Sequence, residues 1–423
     1  MQSLLEQLED YTNKYLKLWD FYGVIQVIRK GEMLFERACG YASMEFGIKN
    51  TLASRFSLAS MSKQFTAFAV MMLHDKGLLD VDQPAYLYLP AELAIDESIT
   101  VHHLLSHTSG LYNFYNFEND FFGGDYRLDY SRTRFFRQYI NKKPTKPAGA
   151  EYDYNNSNYN LLAWIIEHVS GERYGEFLHH HIFLPLDMSS STVDDGCAVI
   201  ENRSSNYIKD FAETVKCPYY NEKFSIGATA VVSDCGDLYK WYVCLRDRKL
   251  LSPAAYERFF QENENNYCYG LEHHLLYGQD RYSHGGDQLG ICTYMQHFYA
   301  EDLCIIILSN NEGINQYRLG HALADILHQV EVEVEAPARH PELQLSEECL
   351  RAYCGTYLAD KIQLELIGGK LYFTRFTGSV HIELYPVGEG EFVQRHYDQL
   401  HPYKIIENTQ GEKVFFGYAR FAP

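Results

Sequence analysis

Two stretches of strand character stand far apart in the chain and bracket a long, mostly helical middle. Residues 22–42, YGVIQVIRKGEMLFERACGYA, hold two β-rich runs around Lys30-Gly31, the pattern of an antiparallel hairpin. Residues 282–298 and 303–309 return to strand character. Between these ends, residues 61–75 read as helix: Phe65, Phe68, Ala69, Met72 and Leu73 recur at helical spacing, and Lys76-Gly77 supplies a stop signal. A second helical stretch spans 157–170. Strands at both ends of a helical middle predict one antiparallel sheet closed by the two ends, flanked by helices and carrying a helical insertion, so the fold class is α+β.

Residues 330–342, VEVEVEAPARHPE, are charged and contain proline, which marks a domain boundary. Beyond it Ile362, Leu364 and Leu366 alternate with polar residues, Gly368-Gly369 makes a turn, and Leu371 and Phe373 resume the alternation. Further short strands are expected at 382–385, 391–395 and 414–418. The expected organisation is a domain at 1–335 and a small antiparallel, barrel-like β domain at 345–423. A chain of 423 residues suits two cores better than one.

With 37 Lys plus Arg against 56 Asp plus Glu, a formal charge of −19 repels phosphate backbones and anionic lipid headgroups, so nucleic acid is a poor partner. No apolar run approaches the roughly 18 residues that span a bilayer, and no membrane association is expected. The first residues, MQSLLEQLEDYTNKYLKLWDF, read as an amphipathic helix and lack the basic start and small-residue cleavage site of a secretory signal. Ten cysteines lie scattered without C-x-x-C pairs, as reduced thiols would, and the expected compartment is cytoplasmic. No phosphate-cradling glycine loop occurs, so no nucleotide cofactor is implied. His103 and His107 stand four apart and His179 to His181 form a triplet, yet no His-Glu-x-x-His pattern accompanies them, and they read as structural or surface residues rather than metal ligands.

Three short patterns follow in order: Ser60-Met61-Ser62-Lys63, Tyr154-Asn155-Asn156 and His284-Gly285-Gly286. Each is weak alone; an S-x-x-K match arises about once by chance in a chain this long. Ser60 precedes the apolar helical pattern, so Ser60 and Lys63 fall one turn apart on one face. A serine hydroxyl needs a base, and a lysine serves as one only where burial lowers its pKa, which Phe56, Phe65 and Phe68 are placed to do. The plainer alternative is an N-cap serine beside a solvent-facing lysine. With 35 tyrosines in the chain, Tyr154 alone would be a packing residue. The glycines after His284 mark a place where a ligand approaches the backbone closely.

Taken together the segments resemble a known family. RFSLASMSKQFTAFAVMML is similar to the active-serine segment of the serine β-lactamase and penicillin-binding family, and VHHLLSHTSGL to its next landmark. PAGAEYDYNNSNYNLLAWIIEHVSGERYGEFLHHHIFLPLDM resembles the tyrosine region; GATAVVSDCGDLYKW, SHGGDQLG and CIIILSNNEG resemble the remaining landmarks in order. The resemblance covers about residues 15–325. It implies a DD-peptidase/β-lactamase-like fold with Ser60 as nucleophile, Lys63 as its proton acceptor or electrostatic support, and Tyr154 as acid/base. Asn156 would orient Lys63 and the substrate amide. His284, Gly285 and Gly286 would line the cleft, and the backbone N–H groups of Ser60 and Asp287 would form the oxyanion hole. The segment from CLRAYCGTYLADKIQLEL onward resembles the lipocalin-like domain appended to some esterases and D-amino-acid peptidases of this family.

Two positions depart from the family pattern. His284 stands where many relatives of that family have a lysine or another histidine, and in place of the lysine of Lys-Thr-Gly it puts a titratable imidazole expected to gain charge towards pH 6. Asn155 replaces a small serine, an exchange expected to be tolerated. The function implied is a serine hydrolase that forms an acyl-enzyme and acts on a small ester or amide, including D-amino-acid peptides. The alternatives are a D-alanyl-D-alanine carboxypeptidase or β-lactamase, and a non-catalytic binding protein that retains the fold. Partners are limited to a small-molecule or short-peptide substrate.

Overall fold

The computed structural model describes residues 3–115, 125–144, 146–334, 341–357, 362–375, 380–399, 402–407 and 413–416. Helix α1 (Leu4–Leu18) opens the chain with a capping box from Ser3 and Glu6. Strands β1 (Gly23–Arg29) and β2 (Glu32–Cys39) follow as the expected hairpin. Their turn places both Lys30 and Gly31 at positive φ, 54° and 77°, the handedness that matches the twist of paired strands.

Strands β3 (Glu272–Leu276), β4 (Gln279–Gln288), β5 (Ile291–Phe298) and β6 (Leu303–Ser309) return at the far end of the insertion. The six strands form one sheet in the order β3-β4-β5-β6-β1-β2, every pair antiparallel. β1 pairs with β6 from Gly23↔Ser309 to Arg29↔Leu303, so the two ends close the sheet as the strand pattern predicts. β6 is apolar without alternation because both its faces are covered. Ile305 and Ile307 join the cluster with Leu8, Tyr15, Leu319 and Leu323 of α1 and α4 (Gln316–Leu327). Cys304, Ile306 and Leu308 join Phe65, Phe68 and Trp241 on the other side.

The helical insertion centres on α2 (Lys63–Asp75), buried on all sides from Lys63 to Leu73. An all-round buried helix must satisfy its polar residues internally. Thr66 Oγ1 donates to Gly227 O at 2.6 Å, and Gln64 Oε1 accepts from Trp241 Nε1 at 3.1 Å. Against α2 packs α3 (Asn156–Ser170), which ends at Gly171 in the left-handed conformation with φ 75°.

The C-terminal part is a seven-stranded antiparallel meander running from Gly355–Tyr357 to Lys413–Phe416. The alternation read from the sequence appears as Leu364, Leu371, Phe373, Ile382 and Leu384 buried together. Residues 335–340 of the charged segment, and 417–418 of the last expected strand, lie outside the described residues.

Of the histidines weighed as metal ligands, His103, His107, His180 and His181 have structural partners. His103 closes a capping box with Thr100, and His107 Nδ1 accepts from Asn155 N–H at 3.1 Å. His180 and His181 both hold Glu172 at the surface. All ten cysteines are unpaired, and among the described residues no helix is long and apolar enough to cross a membrane.

Candidate active site

The chain enters α2 through a 3-10 turn, Ala59–Ser62, and that detail sets the site. In a 3-10 turn residues i and i+3 eclipse one another, so Ser60 stands directly in line with Lys63. Ala59 is held at φ 46°, a strained value for a residue with a Cβ. Three bonds impose it: Leu58 N–H on Val231 O at 2.9 Å, Thr293 Oγ1 on Leu58 O at 2.7 Å, and Val231 N–H on Ser62 Oγ at 3.0 Å. Ser62 is thereby an anchor, while Ser60 keeps 7% of its surface exposed.

Lys63 is 0% exposed, and its Nζ lies 3.0 Å from Ser60 Oγ, 2.8 Å from Asn156 Oδ1 and 3.2 Å from Ala228 O. Among the described residues no carboxylate forms an ion pair with it. Burial without a counter-charge holds its pKa well below the usual lysine range. A neutral amine has two N–H donors and one lone pair. Asn156 Oδ1 and Ala228 O can only accept, so they take both donors. Ser60 Oγ is the third partner: a charged Lys63 donates to all three acceptors, and in the neutral form, with its two donors taken by Asn156 and Ala228, the lone pair faces the Ser60 hydroxyl. The solvent-facing lysine of the plainer reading is therefore not what the chain builds.

Tyr154 and Asn156 are set by the start of α3. Asn155 is its N-cap, with Oδ1 accepting from Ser157 N–H at 2.8 Å and Nδ2 donating to Leu111 O at 2.6 Å. The residue expected to be merely tolerated between Tyr154 and Asn156 is thus a buried anchor for both. The Tyr154 phenol is hydrogen-bonded to Ser60, and its ring lies 4.8 Å from Lys63 Nζ. Burial pushes the phenol well above its ordinary pKa, so it holds its proton. Behind it His107 packs at 4.4 Å between ring centroids, neutral through burial and then the Lys63 charge, with Nδ1 accepting from Asn155 N–H at 3.1 Å.

β4 forms the opposite wall. A Cβ on Gly286 would meet Leu58 O at 2.1 Å, and one on Gly285 would meet Tyr317 Oη at 2.1 Å, so both positions require glycine for close approach. Asp287 follows, paired with Cys292 of β5. His284 is 6.2 Å from Tyr154 between ring centroids. Its Nδ1 donates to Gly285 O at 2.6 Å, which leaves Nε2 to accept from Tyr267 O–H at 3.2 Å. Burial, with the Lys63 charge adding to it, lowers its pKa to about 3. This corrects the expected gain of charge near pH 6: the imidazole is neutral there and both nitrogens are occupied.

The residues that the three patterns bring forward therefore converge on one cleft. Residues 17–329 match the beta-lactamase family. The chain belongs to that family. It is a serine hydrolase with that family's mixed fold, an antiparallel sheet flanked by helices. The penicillin-binding protein PbpX of Bacillus subtilis is 29% identical over 300 residues, covering 71% of this chain and 73% of the other. A D-aminopeptidase of Gluconobacter oxydans is 25% identical over 354 residues, 79% of this chain and 62% of that protein. Among solved structures, the octameric penicillin-binding protein homologue from Pyrococcus abyssi superposes with a TM-score of 0.67 at 22% identity, covering 97% of this chain and 95% of the other.

Sequence reasoning missed several residues around this beta-lactamase-family cleft. Ala228 contributes through its carbonyl, for which side-chain identity carries no signal. Glu222 is a second omission. It is buried, bonded to Thr229 Oγ1 at 3.0 Å, and raised to about 8 by burial first and Asp194 next, with Arg203, Thr229 and Gln288 opposing. An ordinary carboxyl titrates near 4.5, so between pH 4.5 and 8 the native chain holds a proton that the unfolded chain has released. Stability from this group therefore falls as pH rises through that window and levels above it. Glu222→Gln is expected to remove that slope and to exceed wild type by about 3–4 kcal/mol at pH 8 but little at pH 5. Denaturant titrations at pH 5, 6.5 and 8 check it, and parallel pH slopes in the two proteins would count against the protonated carboxyl.

Proposed function

We propose that Ser60 is the nucleophile of an acyl-enzyme mechanism acting on small esters or amides of D-amino acids. The observation that carries the reading is the fully buried Lys63 Nζ 3.0 Å from Ser60 Oγ with no carboxylate paired to it among the described residues, a setting that favours the neutral amine able to take the Ser60 proton. Lys63 accepts that proton as Ser60 Oγ attacks the substrate carbonyl. The N–H groups of Ser60 and Asp287 receive the oxyanion, a contribution of about 3 kcal/mol per donor in comparable sites. Tyr154, protonated at rest, gives its proton to the leaving group and regains one from Lys63. Water then releases the acyl group by the reverse sequence. Asn156 holds Lys63, and His284 and Gly286 shape the wall.

The D-amino-acid part of the reading is supported by the D-aminopeptidase relative and by His284. A neutral imidazole with both nitrogens engaged offers no charge to a β-lactam carboxylate. The penicillin-binding relative keeps penicillin recognition as the second reading. A D-alanyl nitroanilide or ester is expected to be hydrolysed by wild type, not by Ser60→Ala, and faster than its L-isomer and than nitrocefin. For matched carboxylate-bearing and neutral substrates the kcat/KM ratio is expected to stay flat from pH 8 to 6, because His284 does not titrate there. Nitrocefin outpacing every simple ester would move the protein to the lactamase reading. Ten unpaired thiols support a cytoplasmic, reducing setting. Residues 1–335 are the proposed hydrolase domain, with 345–423 as its β appendage.

A further inference from the structure

Among the described residues, the C-terminal sheet and the segments joining its strands meet the catalytic unit around His381 and around Asp398. At one, the hairpin of Tyr207–Asp210 and Glu213–Lys216 meets His381: its backbone N–H donates to Asp210 Oδ1 at 2.8 Å, and its ring stacks on Phe211 at 4.5 Å. At the other, the segment after the strand Glu391–Gln394 places a single carboxylate behind the cleft.

That carboxylate is Asp398, whose side chain is 1% exposed. It accepts from Tyr15 O–H at 2.6 Å and pairs with Arg318, while its backbone N–H donates to Gly313 O at 3.0 Å. Tyr15 Oη also accepts from Asn315 N–H at 3.1 Å, and Asn315 Oδ1 caps α4 by accepting from Arg318 N–H at 2.8 Å. The Arg318 guanidinium lies over the Tyr15 and Trp19 rings at 5.8 and 6.0 Å. All these contacts converge on the first turn of α4.

That turn also carries Gln316 and Tyr317. Gln316 Nε2 donates to Gly286 O at 3.4 Å, and Tyr317 presses on Gly285 so closely that no Cβ fits between them. The other side of Gly286 abuts Leu58 and Ala59, next to Ser60. β4 is thus clamped between the nucleophile turn in front and α4 behind, and α4 is held at its N-terminus by Asp398.

We propose that Asp398 is a positioning residue: through this carboxylate the C-terminal sheet fixes the first turn of α4, and thereby sets the Gly285-Gly286-Asp287 segment at its working distance from Ser60. The proposal rests on Ser60 being the nucleophile and on Asp287 N–H facing the reacting carbonyl oxygen. A displaced donor weakens transition-state binding and leaves ground-state binding almost intact, so the loss falls on kcat.

The test uses the full chain at 20 °C, with folding verified by circular dichroism and with kcat and KM measured separately on one D-alanyl ester. Intact-mass rates of fluorophosphonate labelling supply a second readout. Asp398→Ala is expected to lower kcat about 10-fold to 100-fold and slow labelling in parallel, with KM changed less than about threefold. Asp210→Ala, which loosens the other contact and leaves α4 alone, is expected to keep wild-type kcat. Should Asp398→Ala fail to fold, Tyr15→Phe keeps the ring, removes the hydroxyl that links Asp398 to Asn315, and is expected to show the same split on a smaller scale. Wild-type kcat in a folded Asp398→Ala or Tyr15→Phe variant overturns the proposal. So does an equal kcat loss in Asp210→Ala, which would mean that any loosening of the sheet suffices. Wild type that neither turns over nor labels at Ser60 signals failure of the underlying functional reading instead.

Discussion

Ser60→Ala is expected to lower kcat by on the order of 10⁴-fold or more, Lys63→Ala by nearly as much, and the double variant by no more than either alone. The reason lies in the pairing of the buried Lys63 Nζ with Ser60 Oγ at 3.0 Å. In the neutral amine the lone pair faces the Ser60 proton, and the neighbouring imidazoles cannot stand in for it, since His107 Nδ1 accepts from Asn155 N–H and both nitrogens of His284 are engaged by Gly285 O and Tyr267. Removing either member ends the same step, so the second removal has nothing left to cost. Tyr154→Phe acts on the leaving group and is expected to cost about 10²-fold to 10⁴-fold, more for amides than for activated esters, whose leaving groups need no proton. Lys63→Ala also strips the donor from Asn156 Oδ1 and Ala228 O in a buried setting, which costs stability of about 1–3 kcal/mol per group, so its fold must be verified first. Near-normal kcat in folded Lys63→Ala would sink the base assignment. An adduct mapped to Ser62 would sink the nucleophile assignment, although Ser62 is fully buried and accepts a bond from Val231 N–H.

What could be read ahead of the structure was whatever depends on local pattern. The hairpin at Lys30-Gly31, the apolar run of β6 and the helix following Ser60 each follow from periodicity or turn chemistry within a few residues. The grouping of Ser60, Lys63, Tyr154, Asn156 and the His284-Gly285-Gly286 wall is implied by the resemblance to the serine β-lactamase and penicillin-binding family, not by the residues alone. What escaped depends on partners remote in sequence. His284 looks titratable until Tyr267, 17 residues away, and its neighbour's carbonyl occupy both nitrogens. Ala228 acts through its backbone, and Glu222 is acidic like dozens of surface residues until burial distinguishes it. The link from Asp398 to Tyr15 spans 383 positions, and no periodicity reports such a contact. Asn155 shows the same limit on a smaller scale: its capping role needs the Leu111 carbonyl, supplied by a different segment.

Gly286→Ala separates the geometry of the cleft from its chemistry, because it leaves every reacting side chain in place. The added methyl would sit 2.1 Å from Leu58 O, 2.3 Å from Thr293 Oγ1 and 3.1 Å from Ala59 Cβ. Two of these three obstacles belong to the turn that presents Ser60, and that turn cannot relax easily. Leu58 O is held by Thr293, Leu58 N–H by Val231, and Ala59 is already at φ 46°. β4 must therefore shift outward, carrying Asp287 N–H away from the carbonyl oxygen of a bound substrate. Such a displacement is expected to lower kcat by about 10²-fold to 10³-fold, while overpacking costs stability of only about 1–3 kcal/mol. Gly285→Ala is the internal comparison, since its methyl meets the phenol end of Tyr317, a side chain that can swing aside more readily than a backbone carbonyl. Its kcat is expected to fall less. Measured as kcat on a D-alanyl ester together with thermal midpoints, a folded Gly286→Ala protein within threefold of wild-type kcat would show that the spacing between β4 and the Ser60 turn does not govern the reaction.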